Sequence, residues 1–191
     1  MVAIVAAEKV VFEMEDNYQK QTYRNRAHIA HTNGRLLLNI PIKHSKDGTR
    51  QKTKDVYVEN DFPWQSQHWK SLQTAYRTSP FFEFYEDDLE PLFTEPVGKL
   101  MDHNLTIFSL VSELIGIEVD LSKTDRYDVT SEHMDLRSLV VSKSEKPQPF
   151  KTYSQVFQSN HGFLSNLSIL DLLFNEGPNT LQYLEEQQIV L

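Results

Sequence analysis

Two arginines near the start of this 191-residue chain are its best candidates for ligand binding. Arg24 and Arg26 flank Asn25 within the polar and aromatic segment 17–26. If this part of the chain is an extended strand, its period of two places Arg24, Arg26 and His28 on one face and Asn25 on the other. Guanidinium groups suit the recognition of carboxylates and phosphates. The pattern therefore predicts a face that binds a small anionic or sugar ligand.

An alternative explanation of the two arginines is structural. Arg24 and Arg26 would then pair with the acidic stretch 83–90, since ion pairs without any ligand are common. Asn25, on the opposite face, would satisfy backbone groups.

A histidine and an aspartate are candidate catalytic groups. His68 follows Trp64 by one helical turn, so it is either a general base at a pocket wall or a core histidine bonded to a carbonyl. Asp171 lies in the most apolar helical segment, and a buried carboxylate requires a partner. Arg24 or Arg26 is the partner that the sequence suggests for Asp171, either around a ligand site or as a purely structural salt bridge.

The remaining candidates are aromatic residues and other histidines. Trp64 and Tyr76 are expected either in the core or stacked on a sugar ring. His161, before the terminal helix, is a third candidate catalytic residue: it either approaches a ligand from a flexible loop or belongs to a turn. His28 and His31 point to opposite faces of a strand, so no metal site is predicted there.

Strands are predicted where β-branched and apolar residues cluster or alternate. Asn33-Gly34 is a strong signal for a two-residue hairpin turn inside segment 23–42. Asp47-Gly48 marks a later turn. Other strands are predicted over residues 2–14, 55–59 and 117–121.

Helices are predicted from apolar residues at helical spacing over residues 62–77, 97–115 and 166–176. Gly116 is expected to cap the second helix, and Ser165 or Asn166 to begin the third. A short helix follows over about 179–186, and residues 122–152 are predicted to be a long loop. These elements predict one α/β or α+β domain over residues 1–191, with a mixed β-sheet packed against helices.

Composition narrows the class of protein. The net charge of −8 disfavours non-specific binding of nucleic acid. The absence of cysteine excludes disulfides and thiolate metal sites. The apolar start, residues 1–7, is too short for a membrane span and lacks the basic region of a secretory signal. A cytoplasmic protein is therefore expected, with no membrane span. Neither a glycine-rich phosphate loop nor a Gly-x-Ser-x-Gly motif occurs, and no cofactor is predicted.

Three ordered segments resemble the WbqC-like protein family. The first is segment 17–26, which contains Tyr18 and ends in Arg-Asn-Arg. The second is segment 61–85, with the pattern Trp-x-x-x-His-x-x-x-Leu-x-x-x-Tyr followed by Ser-Pro-Phe-Phe. The third comprises residues 153–157 and 162–177.

The resemblance implies a role in surface polysaccharide biosynthesis, for example of O-antigen. An acyl or aminoacyl transferase acting on an activated sugar is one implied activity, and a non-catalytic binding or assembly protein of that pathway is the other. Family members usually begin with a further strand, loop and helix, so a shortened amino terminus is expected here. An exposed sheet edge left by that shortening would favour a homodimer. The resemblance gives no agreed catalytic residue; its motifs contain the candidate ligand-binding residues Tyr18, Arg24, Asn25, Arg26, Trp64 and Tyr76.

Overall fold

A computed structural model describes residues 1–45, 48–130 and 134–190 of the chain. The α-helices are α1 Val2–Val5, α2 Trp64–Tyr76, α3 Phe82–Leu89, α4 Pro91–Thr94, α5 Leu100–Ile115, α6 Gln158–His161, α7 Ile169–Glu176 and α8 Thr180–Glu185. The strands are β1 Val11–Phe12, β2 Arg26–His31, β3 Gly34–Asn39 and β4 Ser122–Lys123. Short 3₁₀ helices span Thr53–Asp55, Arg137–Val140, Ser142–Ser144 and Gly177–Asn179. The predicted α/β class is confirmed, whereas the turn at Asp47 and residues 131–133 of the predicted loop lie outside the described residues.

The predicted mixed sheet is divided into two separate pairs of strands. β2 pairs antiparallel with β3, and β1 pairs parallel with β4. The other edge of β2 is covered by groups that are not in strands. The carbonyl of His28 accepts from Ser168 N at 2.7 Å, and Ala30 N donates to the Tyr76 hydroxyl at 3.0 Å. Because these contacts occupy its edge, β2 does not continue into a larger sheet in the described structure.

The predicted hairpin forms, but its turn is one residue earlier than expected. His31 pairs with Gly34, which leaves Thr32 and Asn33 as the two turn residues. Gly34 follows the turn with φ of 113°, a conformation that favours glycine. The Asn-Gly signal therefore located the hairpin, whereas the strand register decided which residues form its turn.

The prediction of a strand over residues 2–14 is wrong for its first part. Val2–Val5 is a helix, with Val2 buried in the main core against α8. A short apolar run does not distinguish helix from strand, and the alanines at positions 3, 6 and 7 favour a helix. Only Val11–Phe12 is a strand.

The two later strand predictions need adjustment. The strand predicted over 117–121 lies further on, because Ser122 and Lys123 are the residues that align with β1. The strand predicted over 55–59 is reduced to isolated bridges with Ile42 and Lys99. Its predicted alternation is confirmed, since Tyr57 is half exposed while the residues on either side of it are buried.

The longer predicted helices are confirmed. α2 and α5 fall within the predicted ranges, and Gly116 ends α5 in the left-handed conformation with φ of 84°. α7 also forms. Its N-cap is Ser168, whose Oγ accepts a hydrogen bond from Leu170 N at 3.4 Å. The predicted caps at Ser165 and Asn166 are therefore wrong. No described helix combines the length and the apolar character that crossing a membrane requires.

Two groups of buried apolar residues hold these elements together. The larger joins β2, α2, α3, α5, α7 and α8 around Tyr76, Phe82 and Phe174. Phe82 and Phe174 meet edge to face, with ring centroids 5.0 Å apart. The smaller group consists of Val56, Val58, Trp64, Val97 and Leu100. Tyr18 packs against this smaller group, which places the amino-terminal motif beside the start of α2.

Candidate functional site

Arg24 lies in a turn before β2 rather than in the strand. Gln21, with φ of 61°, reverses the chain, and β2 begins only at Arg26. The Arg24 side chain therefore turns inward, and its Nη2 forms an ion pair with Asp16. Asp16 Oδ1 also accepts from Thr53 Oγ1 at 2.5 Å. The prediction that Arg24 shares a strand face with Arg26 is thus wrong, because a turn interrupts the alternation.

The alternative pairing with the acidic stretch 83–90 is also absent from the described structure. Arg24 pairs with Asp16, and Glu86 in the acidic stretch pairs with Arg77 at 3.1 Å. Arg26 makes no ion pair with a carboxylate in the described ranges; its Nε donates to Asn39 Oδ1 at 3.3 Å. Among the described residues, its positive charge therefore has no partner of opposite sign.

Three buried polar atoms near this turn have no hydrogen-bond partner among the described residues. They are the Tyr18 hydroxyl, Arg24 Nη1 and Asn25 Oδ1. Buried polar groups are nearly always hydrogen-bonded, so atoms of this kind mark positions for a ligand or ordered water. We call Tyr18, Arg24, Asn25 and Arg26 the Arg24 site. These are four of the six residues that the sequence predicts to bind ligand.

The Arg24 site is held in place from several elements. Asn25 Nδ2 donates to Ile40 O at 2.9 Å and to Asn39 Oδ1 at 3.3 Å, so the turn is attached to the end of β3. Asn104 of α5 donates its Nδ2 to Arg24 O at 2.7 Å. Burial raises the pKa of Tyr18, while the charges of Arg24 and Arg26 oppose that rise. The Tyr18 hydroxyl is consequently neutral and available as a donor at pH 7.

His68 lies next to the Arg24 site through Asn39. Its imidazole bonds to the backbone carbonyl of Asn39, whose side chain contacts Asn25 and Arg26. Burial lowers the pKa of His68 to about 4, and nearby His103 acts in the same direction. His68 is therefore neutral at pH 7.

Trp64 lies between two histidines. Its ring meets His68 and His103 edge to face, at centroid distances of 5.2 and 5.7 Å. Burial lowers the pKa of His103 as well. All three side chains are nearly inaccessible. Trp64 is therefore a core residue that forms one wall beside the Arg24 site.

Asp171 and Tyr76 form a separate buried network. Tyr76 donates to Asp171 Oδ1 at 2.7 Å, and Tyr153 donates to Oδ2 at 2.5 Å. Gln155 Nε2 donates to Oδ2 at 3.0 Å. Burial raises the pKa of the Asp171 carboxyl, and the three donors oppose that rise. The expected partner, Arg24 or Arg26, is replaced by neutral donors, because Asp171 faces Tyr76, Tyr153 and Gln155 in the core while Arg24 pairs with Asp16.

His161 lies apart from both groups. It ends α6, and its Nε2 is 2.9 Å from His31 O at the tip of the hairpin. This contact attaches the segment before α7 to β2. The three predicted catalytic residues therefore occupy three different places: His68 beside the Arg24 site, Asp171 in the core and His161 at the hairpin.

Other surface features do not involve the predicted residues. An open groove of about 320 Å³ lies between α1, residues 116–120 and α8, and a second lies along residues 109–119. None of the predicted site residues lines either groove. Among residues 1–45, 48–130 and 134–190, no three His, Asp or Glu side chains are grouped as a metal site requires.

Sequence reasoning missed several residues that shape these places. His103 occurs on the buried face of α5, one turn after Leu100, and this helical spacing was a detectable signal. Tyr153 and Gln155 belong to the third motif of the resemblance but were not singled out. Asp16 directly precedes the first motif, and nothing in the local pattern identifies it as the partner of Arg24.

A family model described as "WbqC-like protein family" matches residues 1–148. This chain belongs to the WbqC-like protein family. The matched part contains the whole Arg24 site together with Trp64, His68 and Tyr76, and it ends before Tyr153, His161 and Asp171.

A curated relative of this WbqC-like chain is "Uncharacterized protein Rv1507c" of Mycobacterium tuberculosis. The two are 23% identical over 197 aligned positions, which cover 87% of this chain and 83% of the relative. No solved structure shows a significant match to the chain.

Proposed function

We propose that this WbqC-like protein binds a small anionic sugar compound, such as a nucleotide-sugar, at the Arg24 site in surface polysaccharide biosynthesis. The observation that carries the proposal is the set of buried, partnerless atoms: the Tyr18 hydroxyl, Arg24 Nη1 and Asn25 Oδ1. Two of them donate hydrogen bonds and one accepts, which suits a ligand that carries both an anionic oxygen and a hydroxyl group.

The charge around the site supports an anionic ligand. Asp16 neutralises Arg24, whereas Arg26 has no carboxylate partner in the part of the chain that the structure describes. An incoming phosphate or carboxylate would meet one uncompensated guanidinium and the free Nη1 of another. The family membership supports the polysaccharide context of this proposal.

A second candidate function is group transfer onto the bound sugar. His68 supports it, because a neutral imidazole beside the Arg24 site can accept a proton from a sugar hydroxyl. With its pKa lowered to about 4, however, His68 is a weak base at pH 7, and efficient general bases have pKa values near the working pH. The geometry therefore favours the binding function over the transferase function.

The test is a thermal-shift screen of nucleotide-sugars, sugar phosphates and sugar acids on the intact protein. A ligand that binds only the folded state raises Tm by mass action. Tyr18→Phe is the informative variant, because it removes only a hydroxyl that has no partner among the described residues of the free protein. Tyr57→Phe is its control, since Tyr57 is half exposed and its ring lies under Lys99 instead.

We expect one ligand class to raise Tm, with binding about 10-fold weaker in Tyr18→Phe and unchanged in Tyr57→Phe. No Tm rise with any of these compounds would contradict the proposal. Equal ligand affinity of Tyr18→Phe and Tyr57→Phe would show that the ligand binds elsewhere than at the Arg24 site. The transferase candidate would be supported if His68→Gln binds the sugar compound with unchanged affinity but no longer forms the acylated or aminoacylated sugar.

A further inference from the structure

A carboxylate of the chain itself lies against the solvent face of the hairpin. Glu145 accepts a hydrogen bond on Oε2 from the Tyr23 hydroxyl and one on Oε1, at 2.7 Å, from Asn166 Nδ2. Tyr23 precedes β2, and Asn166 precedes α7. Two distant parts of the chain thus direct donors at one carboxylate that a third part supplies.

A cation acts on the same Tyr23 side chain that donates to Glu145. Arg35 of β3 is paired with Ala30 and is therefore diagonal to His28 across the hairpin. Its Nη2 donates to Ser165 O at 2.6 Å, and it forms no ion pair with a carboxylate in the described ranges. The guanidinium charge of Arg35 acts on both Tyr23 and His28. Around Tyr23 and His28, Arg35 therefore contributes positive charge and Glu145 contributes negative charge.

His28 provides a further group without a partner. Its ring meets Tyr23 edge to face at a centroid distance of 6.1 Å. Its Nδ1 is buried and has no hydrogen-bond partner within the described residues. A ligand bound here could therefore form a hydrogen bond with His28 Nδ1, which has no hydrogen bond to Glu145.

The segment before Glu145 is joined to the turn before β2 by a backbone hydrogen bond and a side-chain hydrogen bond. Tyr23 N donates to Val140 O at 2.8 Å, and Ser142 Oγ donates to Gln21 O at 2.8 Å. The 3₁₀ helix Arg137–Val140, which precedes Glu145, has no buried residue, and Pro147 follows Glu145 closely. Withdrawal of the Glu145 side chain would therefore cost few buried apolar contacts.

We propose that Tyr23, His28, Arg35 and Asn166 form a second binding site, which takes the carboxylate or phosphate group of a small molecule. Glu145 occupies this site in the ligand-free protein and competes with the incoming anion. The site is distinct from the Arg24 site, shares no residue with it and goes beyond the function proposed above.

The test is isothermal titration of inorganic phosphate and of glucuronate, at fixed ionic strength because salt screens exposed charges. Removing the competing carboxylate by Glu145→Gln is expected to tighten the binding of at least one probe by about 5-fold or more. Tightening with phosphate alone would identify a phosphate ligand, and tightening with glucuronate alone a carboxylate ligand. Adding Arg35→Ala to Glu145→Gln is expected to abolish the gain.

Matched controls separate this effect from a general change of charge. Glu186→Gln removes a carboxylate that pairs with Lys151, and Arg77→Ala removes an exposed arginine that pairs with Glu86. If Glu145→Gln binds both probes no more tightly than Glu186→Gln, the proposal is overturned. The same conclusion follows if Arg35→Ala retains the gain, as Arg77→Ala should.

A spectroscopic readout locates the bound probe. In Glu145→Gln, NMR signals of the Asn166 side-chain amide and the His28 ring should shift on titration, while Tyr18 signals remain in place. Shifts confined to Tyr18 and Arg24 would assign the probe to the Arg24 site and would reject the second site. Because the readouts differ, failure of one proposal does not decide the other.

Discussion

The hydroxyl of Tyr76 donates a 2.7 Å hydrogen bond to Oδ1 of Asp171, and both residues are completely buried. The two lie 95 positions apart in the chain. Tyr76 also accepts a bond from Ala30 N, so one hydroxyl links α2, α7 and β2. The geometry of the core therefore depends on a polar contact as well as on apolar packing.

Tyr76→Phe tests the strength of that link. The variant leaves Ala30 N without its acceptor and Asp171 without one of its three side-chain donors, so we expect a loss of about 1–3 kcal/mol in the free energy of unfolding. Urea unfolding measures it. Tyr127→Phe is the control: because the Tyr127 side chain is nearly half exposed, its loss of a hydroxyl should change the free energy of unfolding little. Equal stabilities of the two variants would show that the link does not matter energetically.

Arg24→Ala should destabilise the fold through Asp16. The variant leaves a nearly buried carboxylate without its cation, which typically costs about 3–5 kcal/mol. Asp16→Asn in the same chain should recover part of the loss, since the unpaired charge is then gone. Chemical unfolding of the two single variants and the double variant measures this coupling. Strictly additive losses would contradict it. Arg126→Ala, which breaks an exposed pair with Asp128, should have little effect.

His68 should make stability depend on pH. Its pKa is about 4 in the folded protein and about 6.5 when unfolded, so the unfolded state binds more protons between these values. Stability is therefore fully present above pH 6.5 and falls as the pH drops towards 4, by about 3 kcal/mol from this group.

His68→Gln isolates that contribution. The glutamine keeps a donor for the Asn39 carbonyl but does not titrate in this range. Urea unfolding at several pH values gives the free energy of unfolding of both proteins. The difference between the two proteins should shrink as the pH falls from 6.5 to 4. A difference that stays constant with pH would show that His68 titrates normally in the folded protein.

Gly177→Ala should be strongly destabilising. A Cβ at this position would lie 2.5 Å from Cγ of Phe81, and Gly177 has a positive φ of 51°. Steric overlap together with the strained backbone predicts a loss of at least about 2 kcal/mol. Gly98→Ala is the matched control, because a Cβ there meets nothing within 4 Å. Thermal unfolding measures Tm for both variants, and an equal decrease in Tm would refute this explanation.

Local sequence patterns by themselves determined three of the helices and the hairpin. α2, α5 and α7 follow from apolar residues at helical spacing, and Tyr57 was correctly placed on the side opposite its two neighbours. These features depend on residues within a few positions of one another, which sequence patterns report directly. The ambiguous apolar run at Val2–Val5 was assigned wrongly, because such a short run lacks a distinctive period.

Only the tertiary structure decided the partners of the charged and polar residues. The sequence singled out Arg24 and Asp171 and required a partner for the buried carboxylate, yet it paired the two with each other. In the fold, Arg24 meets Asp16, whereas Asp171 meets Tyr76, Tyr153 and Gln155. Such choices depend on how helices and turns pack across the whole chain. Periodicity carries no information about them, because residues that are distant in sequence become neighbours only after folding.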